Sequence, residues 1–344
     1  MAFTNIDDPS VYFQIATYTG TGSTHSISND GNSNLKPDWV WIKKRNTTGN
    51  HSVFDSTRGA TKELVTNGAN AEATDAQLLT QFDTDGFTVG TNSGVNGSSD
   101  TFVGWQWKAN GGTTSSNTDG TITSTVQANT TAGFSIVSYT GNGGTNVTVG
   151  HGLSSTPEII ILKDRDNAYD WYVYTTKVDG TLDFGRLNTN AAFSGSGASL
   201  PTSSVFYVTG TVANSSGDAK IAYLFNSVQG YSKVGSYVGN GAANGPFVHT
   251  GFRPAFLLFK RVENTRSWVI IDNKRDPHNV ATKRLFPDTD GGDNVLADLV
   301  DLVSNGFKVR QSNVIINNSG EKYIYMAFAE NPFVTSTGIP TTAR

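Results

Sequence analysis

Phe134-Ser135-Ile136-Val137-Ser138-Tyr139-Thr140-Gly141-Asn142-Gly143-Gly144 is an apolar stretch that ends on a glycine-rich turn, and its Tyr-x-Gly signature occurs three times. The other two instances are Tyr18-Thr19-Gly20 and Tyr237-Val238-Gly239. A proline, an apolar run and a lysine follow each. These are Pro37 with Trp39-Val40-Trp41-Ile42-Lys43, Pro157 with Ile159-Ile160-Ile161-Leu162-Lys163, and Pro254 with Phe256-Leu257-Leu258-Phe259-Lys260. An aromatic-rich segment comes next: His51-Ser52-Val53-Phe54-Asp55, Trp171-Tyr172-Val173-Tyr174-Thr175, or Trp268-Val269-Ile270-Ile271-Asp272. Further on stand Gly86-Phe87-Thr88-Val89, Val205-Phe206-Tyr207-Val208 and Gly306-Phe307-Lys308-Val309. Each copy closes on an apolar strand that contains Trp105-Gln106-Trp107, Tyr223-Leu224-Phe225 or Met326-Ala327-Phe328. The unit is about 100 residues, long enough for a core of its own and far longer than a solenoid repeat.

Short apolar runs bounded by glycine turns read as strands, and several of them in series imply an all-β fold. The expectation is three tandem antiparallel β-sandwich (jelly-roll-like) domains over 11–110, 132–229 and 230–335. Residues 1–10 form an N-terminal arm, 111–131 have linker composition, and 336–344 make a tail. Thr121-Ile122-Thr123-Ser124-Thr125-Val126 alternates, so part of the linker can pair as an edge strand. The second and third copies abut and should be stiffly joined, whereas the linker leaves the first copy freer and makes it the candidate attachment end. Helical patterning is confined to 75–79 and 295–303.

A formal charge of −4 argues against a nucleic-acid partner, because phosphate binding needs concentrated Lys and Arg. With 36% hydrophobic residues and 19 Phe, 12 Tyr and 6 Trp, the chain is too aromatic to be disordered. There is no cysteine, so disulfides and thiolate metal sites are excluded. No apolar run approaches the ~20 residues of a membrane helix. The start, Met1 to Asp8, lacks a basic-then-apolar layout, which gives the expectation of a protein made in a cytoplasm.

The residues point to no catalytic, cofactor or metal site. His25, His51, His151, His249 and His278 recur at no common place and lack ligand spacing. Asp83-Thr84-Asp85-Gly86 and Asp288-Thr289-Asp290-Gly291-Gly292-Asp293 carry oxygens suited to calcium, without the closing glutamate of a calcium loop. No acid recurs in all three copies at the landmarks above, so the chain reads as a non-enzyme. The alternating pairs Trp39/Trp41 and Trp105/Trp107 each face one side of a sheet and read as core, with exposed sugar-stacking rings as the alternative. Lys43, Lys163 and Lys260 persist while the apolar residues before them vary. They either end a buried strand and snorkel to water, or serve as surface contacts for a partner.

Phe3-Thr4-Asn5-Ile6-Asp7-Asp8-Pro9-Ser10-Val11-Tyr12-Phe13-Gln14, Pro37 to Lys43, Asp85-Gly86-Phe87-Thr88-Val89-Gly90, Val103 to Ala109, and Ala327-Phe328-Ala329-Glu330-Asn331-Pro332-Phe333 together resemble a repeat domain of tailed-phage virion proteins, tail-fibre or decoration type. The resemblance implies a structural protein located on the virion. It would be a fibre, decoration or adhesin component, with capsid or tail proteins as partners, homo-oligomeric (trimeric) assembly, and contact with a host-surface glycan or protein. It carries no catalytic residues. The alternatives are a carbohydrate-binding or depolymerising tailspike, and a bacterial adhesin, which would need an export signal or anchor.

Overall fold

Alternation along the proline-to-lysine strands organises the molecule. In Trp39–Lys44, the side chains of Trp39, Trp41 and Lys43 share one face, Val40 and Ile42 the other, and all five are buried. A strand covered on both sides reads as a continuous apolar run, as these do. The computed structural model, which describes residues 4–341, is all-β with several antiparallel sheets. Residues 1–3 of the expected arm and 342–344 of the expected tail lie outside the described residues.

Strand order repeats with the sequence. In the first copy the order is Phe13–Thr19, Thr101–Trp107, Trp39–Lys44, His51–Asp55, Lys62–Val65. The second copy gives Phe134–Thr140, Ala219–Phe225, Ile159–Asp164, Tyr172–Thr175, Asp183–Arg186, and the third Ser232–Val238, Lys322–Pro332, Phe252–Arg261, Val269–Asp272. Each copy also has a smaller sheet built on the Gly-Phe segment: Phe87–Val89 with His25–Ile27, Val205–Val208 with Val147–Gly150, and Gly306–Val309 with Phe247–His249.

Four apolar clusters result among the described residues. Three are private to a copy and lie between its large and small sheets, as where Val40, Ile42 and Phe102 meet Ile27, Phe87 and Val89. The fourth draws on the opposite faces of all three large sheets. It holds Trp39, Trp41, Trp105 and Trp107, then Ile161, Tyr223 and Phe225, then Phe256, Leu258, Met326 and Phe328. Rings touch across every boundary: Trp39–Tyr223 centroids lie 4.6 Å apart, Trp107–Phe256 5.6 Å and Phe225–Phe328 5.6 Å. Such aromatic pairs add about 0.5–1.5 kcal/mol each beyond the area they bury. The tryptophans are thus core residues of an interior common to the three copies.

The Tyr-x-Gly signature has a packing reason. The hydroxyls of Tyr18, Tyr139 and Tyr237 donate to the carbonyls of Val95, Ala213 and Ile316, at 2.7, 2.6 and 2.7 Å. The glycine two residues on crosses the same turn with no space for a side chain. A Cβ on Gly20, Gly141 or Gly239 would lie 2.2, 2.1 or 2.2 Å from the carbonyl oxygen of Gly97, Ser215 or Asn318. A buried asparagine completes the knot: Asn96, Asn214 and Asn317 accept from the backbone N–H of Thr21, Asn142 and Asn240.

Three expectations change. The helical patterning at 295–303 is strand Asn294–Val303, because a tight reversal pairs Val303 with Gly306 and the ladder outweighs local spacing. At 75–79 a turn forms, in which Asp75 Oδ1 accepts from Gln77 N at 2.7 Å before strand Leu79–Phe82 begins. The helices present among the described residues are single turns (Pro9–Val11, Ser93–Asn96, Gly210–Asn214). The linker at 111–131 contributes Ser115–Asn117 and Ser124–Asn129, which extend the second copy's sheet. Gln127 Nε2 from that strand donates to Ser56 and Thr57 Oγ at 2.9 and 2.7 Å, so the first copy is held there instead of hanging free.

Candidate functional site

Lys43, Lys163 and Lys260 end the inward face of their strands, one step beyond Trp41, Ile161 and Leu258, at the rim of the shared core. None reaches water, so the expected surface contacts are corrected to interior ones: all three are at most 1% exposed. Their extended stems carry Nζ to backbone carbonyls instead of a carboxylate. Lys43 donates to Lys44 O (2.7 Å) and Asp290 O (3.1 Å), Lys163 to Asp164 O (2.6 Å) and Asn167 O (3.1 Å), and Lys260 to Arg266 O (2.6 Å) and Asn190 O (3.2 Å). Burial pushes each ammonium down to about 8, with the charges of Asp290 and Asp293, of Asp164, and of Asp288 respectively opposing the drop.

Around each lysine one copy is sewn to the next. The first grips the third: Gly49 N donates to Asp290 O at 2.9 Å, Asp293 N to Arg45 O at 2.6 Å, and Arg45 Nε to Asp293 Oδ2 at 3.0 Å. The second grips the first, with Glu72 N to Arg165 O at 2.7 Å, Arg165 Nε to Glu72 Oε2 at 2.8 Å, and Trp171 Nε1 to Val65 O at 2.8 Å. The third grips the second, with Phe193 N to Val262 O at 2.9 Å and Trp268 Nε1 to Arg186 O at 2.7 Å. The contacts run head to tail, and the ring closes.

Inside the ring, two corners carry a buried ion pair. Asp55 pairs with Arg58, and Asp272 pairs with Arg275 at 2.6 Å, all four side chains fully buried. Each aspartate also accepts from the neighbouring copy: Tyr223 OH reaches Asp55 Oδ2 at 2.6 Å, and Trp105 Nε1 reaches Asp272 Oδ2 at 3.0 Å. The partner aspartate holds each guanidinium above its ordinary value, against the pull of burial. The third corner has Thr175 and Val178 in the acid and arginine places, and Met326, which has no N–H or O–H, in the donor place. Acid and donor are absent together.

The remaining candidates are similarly engaged. Asp83 and Asp85 accept from Thr88 Oγ1 and Leu35 N, Asp288 from Trp268 N, and Asp293 from Arg45 and Arg275. Among the described residues, no group of three or more His, Asp or Glu is placed to hold a metal ion. His51, beside Trp41 and Trp105, and His151 are held below their usual value by burial and stay neutral. His25, His249 and His278 lie partly or fully exposed. A cavity of about 240 Å³ opens at the seam of the first and third copies, lined by Ser10, Gln14, Asp30, Asn273, Lys274 and Glu330. The ring of junctions was signalled in the sequence by the persistent lysine. The buried Asp–Arg pairs were not, because they occupy two corners of three.

A family profile described as a domain of unknown function, DUF7483, matches residues 8–332. No curated protein and no solved structure matches the chain.

Proposed function

We propose that this chain, which belongs to the DUF7483 family, is a non-enzymatic structural protein of a bacteriophage particle, built as three β-sandwiches fused in one chain. One observation carries the reading. Buried polar groups at the seams join copy to copy, Lys43 and Lys260 through the neighbouring Asp290 O and Asn190 O and the Asp–Arg corners through Tyr223 and Trp105, instead of facing a groove where a substrate could sit. A catalytic site would keep perturbed, open groups in a cleft. Here the perturbed lysines are sealed. The resemblance of the opening, the proline-to-lysine strands and the closing Ala327 to Phe333 to tailed-phage repeat domains supplies the context.

Since the inner faces pack on each other, assembly with capsid or tail proteins, or with further copies of this chain, would use the outer sheets and turns. Host-glycan contact is favoured at the seam cavity, whose amide and carboxylate lining suits sugar hydroxyls. The test is gold-labelled antibody against the purified chain, applied to particles purified from lysate and viewed by electron microscopy. Regular labelling at one site on head or tail is expected, and labelling confined to soluble lysate refutes the reading. Release of reducing ends from host polysaccharide by the pure chain would favour the depolymerising alternative instead.

A further inference from the structure

Lys220 and Asp164 face each other across neighbouring strands of the second copy's large sheet. Their Cα atoms are register partners, and both side chains are fully buried. The same place holds Lys44 opposite Phe102 in the first copy and Arg261 opposite Tyr323 in the third, so this pair is not part of the common scaffold. Lys220 Nζ contacts Asp164 Oδ2, while Asp164 Oδ1 accepts the backbone N–H of Asp166 at 2.9 Å and of Asn167 at 2.7 Å. Two N–H groups aimed at one carboxyl oxygen would hold a negative charge developing there. On its other side Lys220 Nζ donates to Ser215 Oγ at 2.6 Å, and Ser215 Oγ donates to Asp218 Oδ2. Asp218 lies at the solvent-facing end of this line, 3.7 Å from Nζ, with Asn167 Nδ2 also donating to it at 2.9 Å.

We propose that Lys220 and Asp164 condense spontaneously to an intramolecular isopeptide bond that clamps the second copy. Nucleophile, electrophile and oxyanion donors all stand in place, with Ser215 and Asp218 beside the nitrogen. Transfer of the bridging proton from Nζ to Oδ2 converts ammonium and carboxylate into amine and acid. The Nζ lone pair then forms the N–Cγ bond, and the C=O electrons move onto Oδ1, where the Asp166 and Asn167 N–H groups hold them. A second proton passes from nitrogen to Oδ2, which Nζ contacts, while Ser215 Oγ, itself donating to Asp218, accepts from the nitrogen and stabilises its positive charge. The Cγ–Oδ2 bond breaks with its electron pair, water leaves, and the Oδ1 electrons re-form the carbonyl. Ammonium plus carboxylate thus become amide plus water, with no oxidant, metal or cofactor. Burial favours the product because a neutral amide replaces two charges withdrawn from water. The closing strand Ala219–Phe225 would then be tied covalently to Ile159–Asp164.

Intact-mass measurement of the denatured full-length protein tests this directly. The expected mass is about 18 Da below that of the sequence, the loss of one water. A protease digest should contain one branched peptide joining the Asp164 and Lys220 segments. The Lys220→Arg variant, which keeps a cation beside Asp164, should return the full mass and lower the thermal midpoint. Asp218→Asn should leave a measurable uncondensed fraction. A native protein at full mass overturns the proposal. So does a mass deficit that maps to a linear peptide, which would mean cyclisation of some other aspartate, or a deficit that survives in Lys220→Arg.

Discussion

The buried lysines make stability rise with alkalinity, in a window where most proteins only lose it. An ammonium ordinarily titrates at 10.5, but Lys43, Lys163 and Lys260 are each pushed to about 8 in the fold. The folded chain therefore holds these protons more weakly than the unfolded chain. Below pH 8 both states are protonated and the full penalty of burying the charge is present. Between about 8 and 10.5 the folded state gives up its protons first, and the penalty is shed. A shift of 2.5 units corresponds to at most about 3 kcal/mol per lysine, of which about 2 appears between pH 7.5 and 9.5. Three separate junctions could raise stability by up to about 6 kcal/mol over that interval. The neutral amines can still donate to their carbonyls, so the junctions survive deprotonation. The chain has no cysteine to confuse the window. Above pH 10 the trend reverses, because burial holds Tyr18, Tyr139, Tyr223, Tyr231 and Tyr237 well above their usual value and only the unfolded chain can ionise them. Urea unfolding midpoints at half-unit steps from pH 7.5 to 10.5 measure the effect. Lys43→Met, Lys163→Met and Lys260→Met should each remove about a third of the rise. A wild-type midpoint that is flat or falling from 7.5 to 9.5, or a triple variant that keeps the rise, refutes the reasoning.

Gly141→Ala should cost about 1–3 kcal/mol, read as a drop in thermal midpoint, because its Cβ meets the Ser215 carbonyl at 2.1 Å. Gly195→Ala, whose Cβ meets nothing within 4 Å, should change stability by under about 0.5 kcal/mol. Asp55→Ala leaves the buried Arg58 guanidinium with Glu72 at 3.2 Å as its remaining acid and should cost about 3 kcal/mol by chemical denaturation, whereas Tyr223→Phe removes one donor and should cost about 1–3. Deleting residues 1–110 should leave Tyr223, Phe225, Phe256 and Phe328 without Trp39 and Trp107, and the remainder should aggregate or bind a hydrophobic dye, in contrast to the intact chain.

Much of the strand layout was legible. Trp39, Trp41 and their counterparts announced a strand covered on both sides, and the Tyr-x-Gly copies announced where each unit begins. What covers the inner side was not legible. A continuously apolar strand reads the same whether its second face meets a helix, a sheet of its own unit, or a neighbouring copy, and here it meets two neighbouring copies at once. The lysines misled for a related reason. A cation ending a strand is ordinarily a solvated one, and only the folded chain shows that the strand ends beneath the next copy's loop, with Asp290 O or Asn190 O waiting for Nζ. The stretch 295–303 misled because Leu296, Leu299, Val300 and Val303 fall at helical spacing, yet pairing with Gly306–Val309 and Ala281–Arg284 captures it as a strand.

Fusion of the copies explains why the corners differ. Three identical subunits closing the same ring would present identical corners, so any residue fitting one would have to fit all. A single chain is free of that constraint, and each corner needs to satisfy only its own occupants. Tyr223 and Trp105 differ in size and in the height of their polar atom, and each found an aspartate already neutralised by an arginine three residues on. Where Met326 removed the donor, an Asp–Arg pair would have been buried with one acceptor unmatched, an arrangement that gains little or loses stability against apolar side chains of similar volume. Thr175 and Val178 stand there instead, Thr175 Oγ1 turning back to donate to Glu158 O at 2.8 Å. The polar content of the shared core therefore follows the donor that each neighbour supplies, corner by corner. That is the pattern of an interior selected for mutual fit between copies, and it is why the buried acid of Asp55 and Asp272 gives way to Thr175 in the second copy.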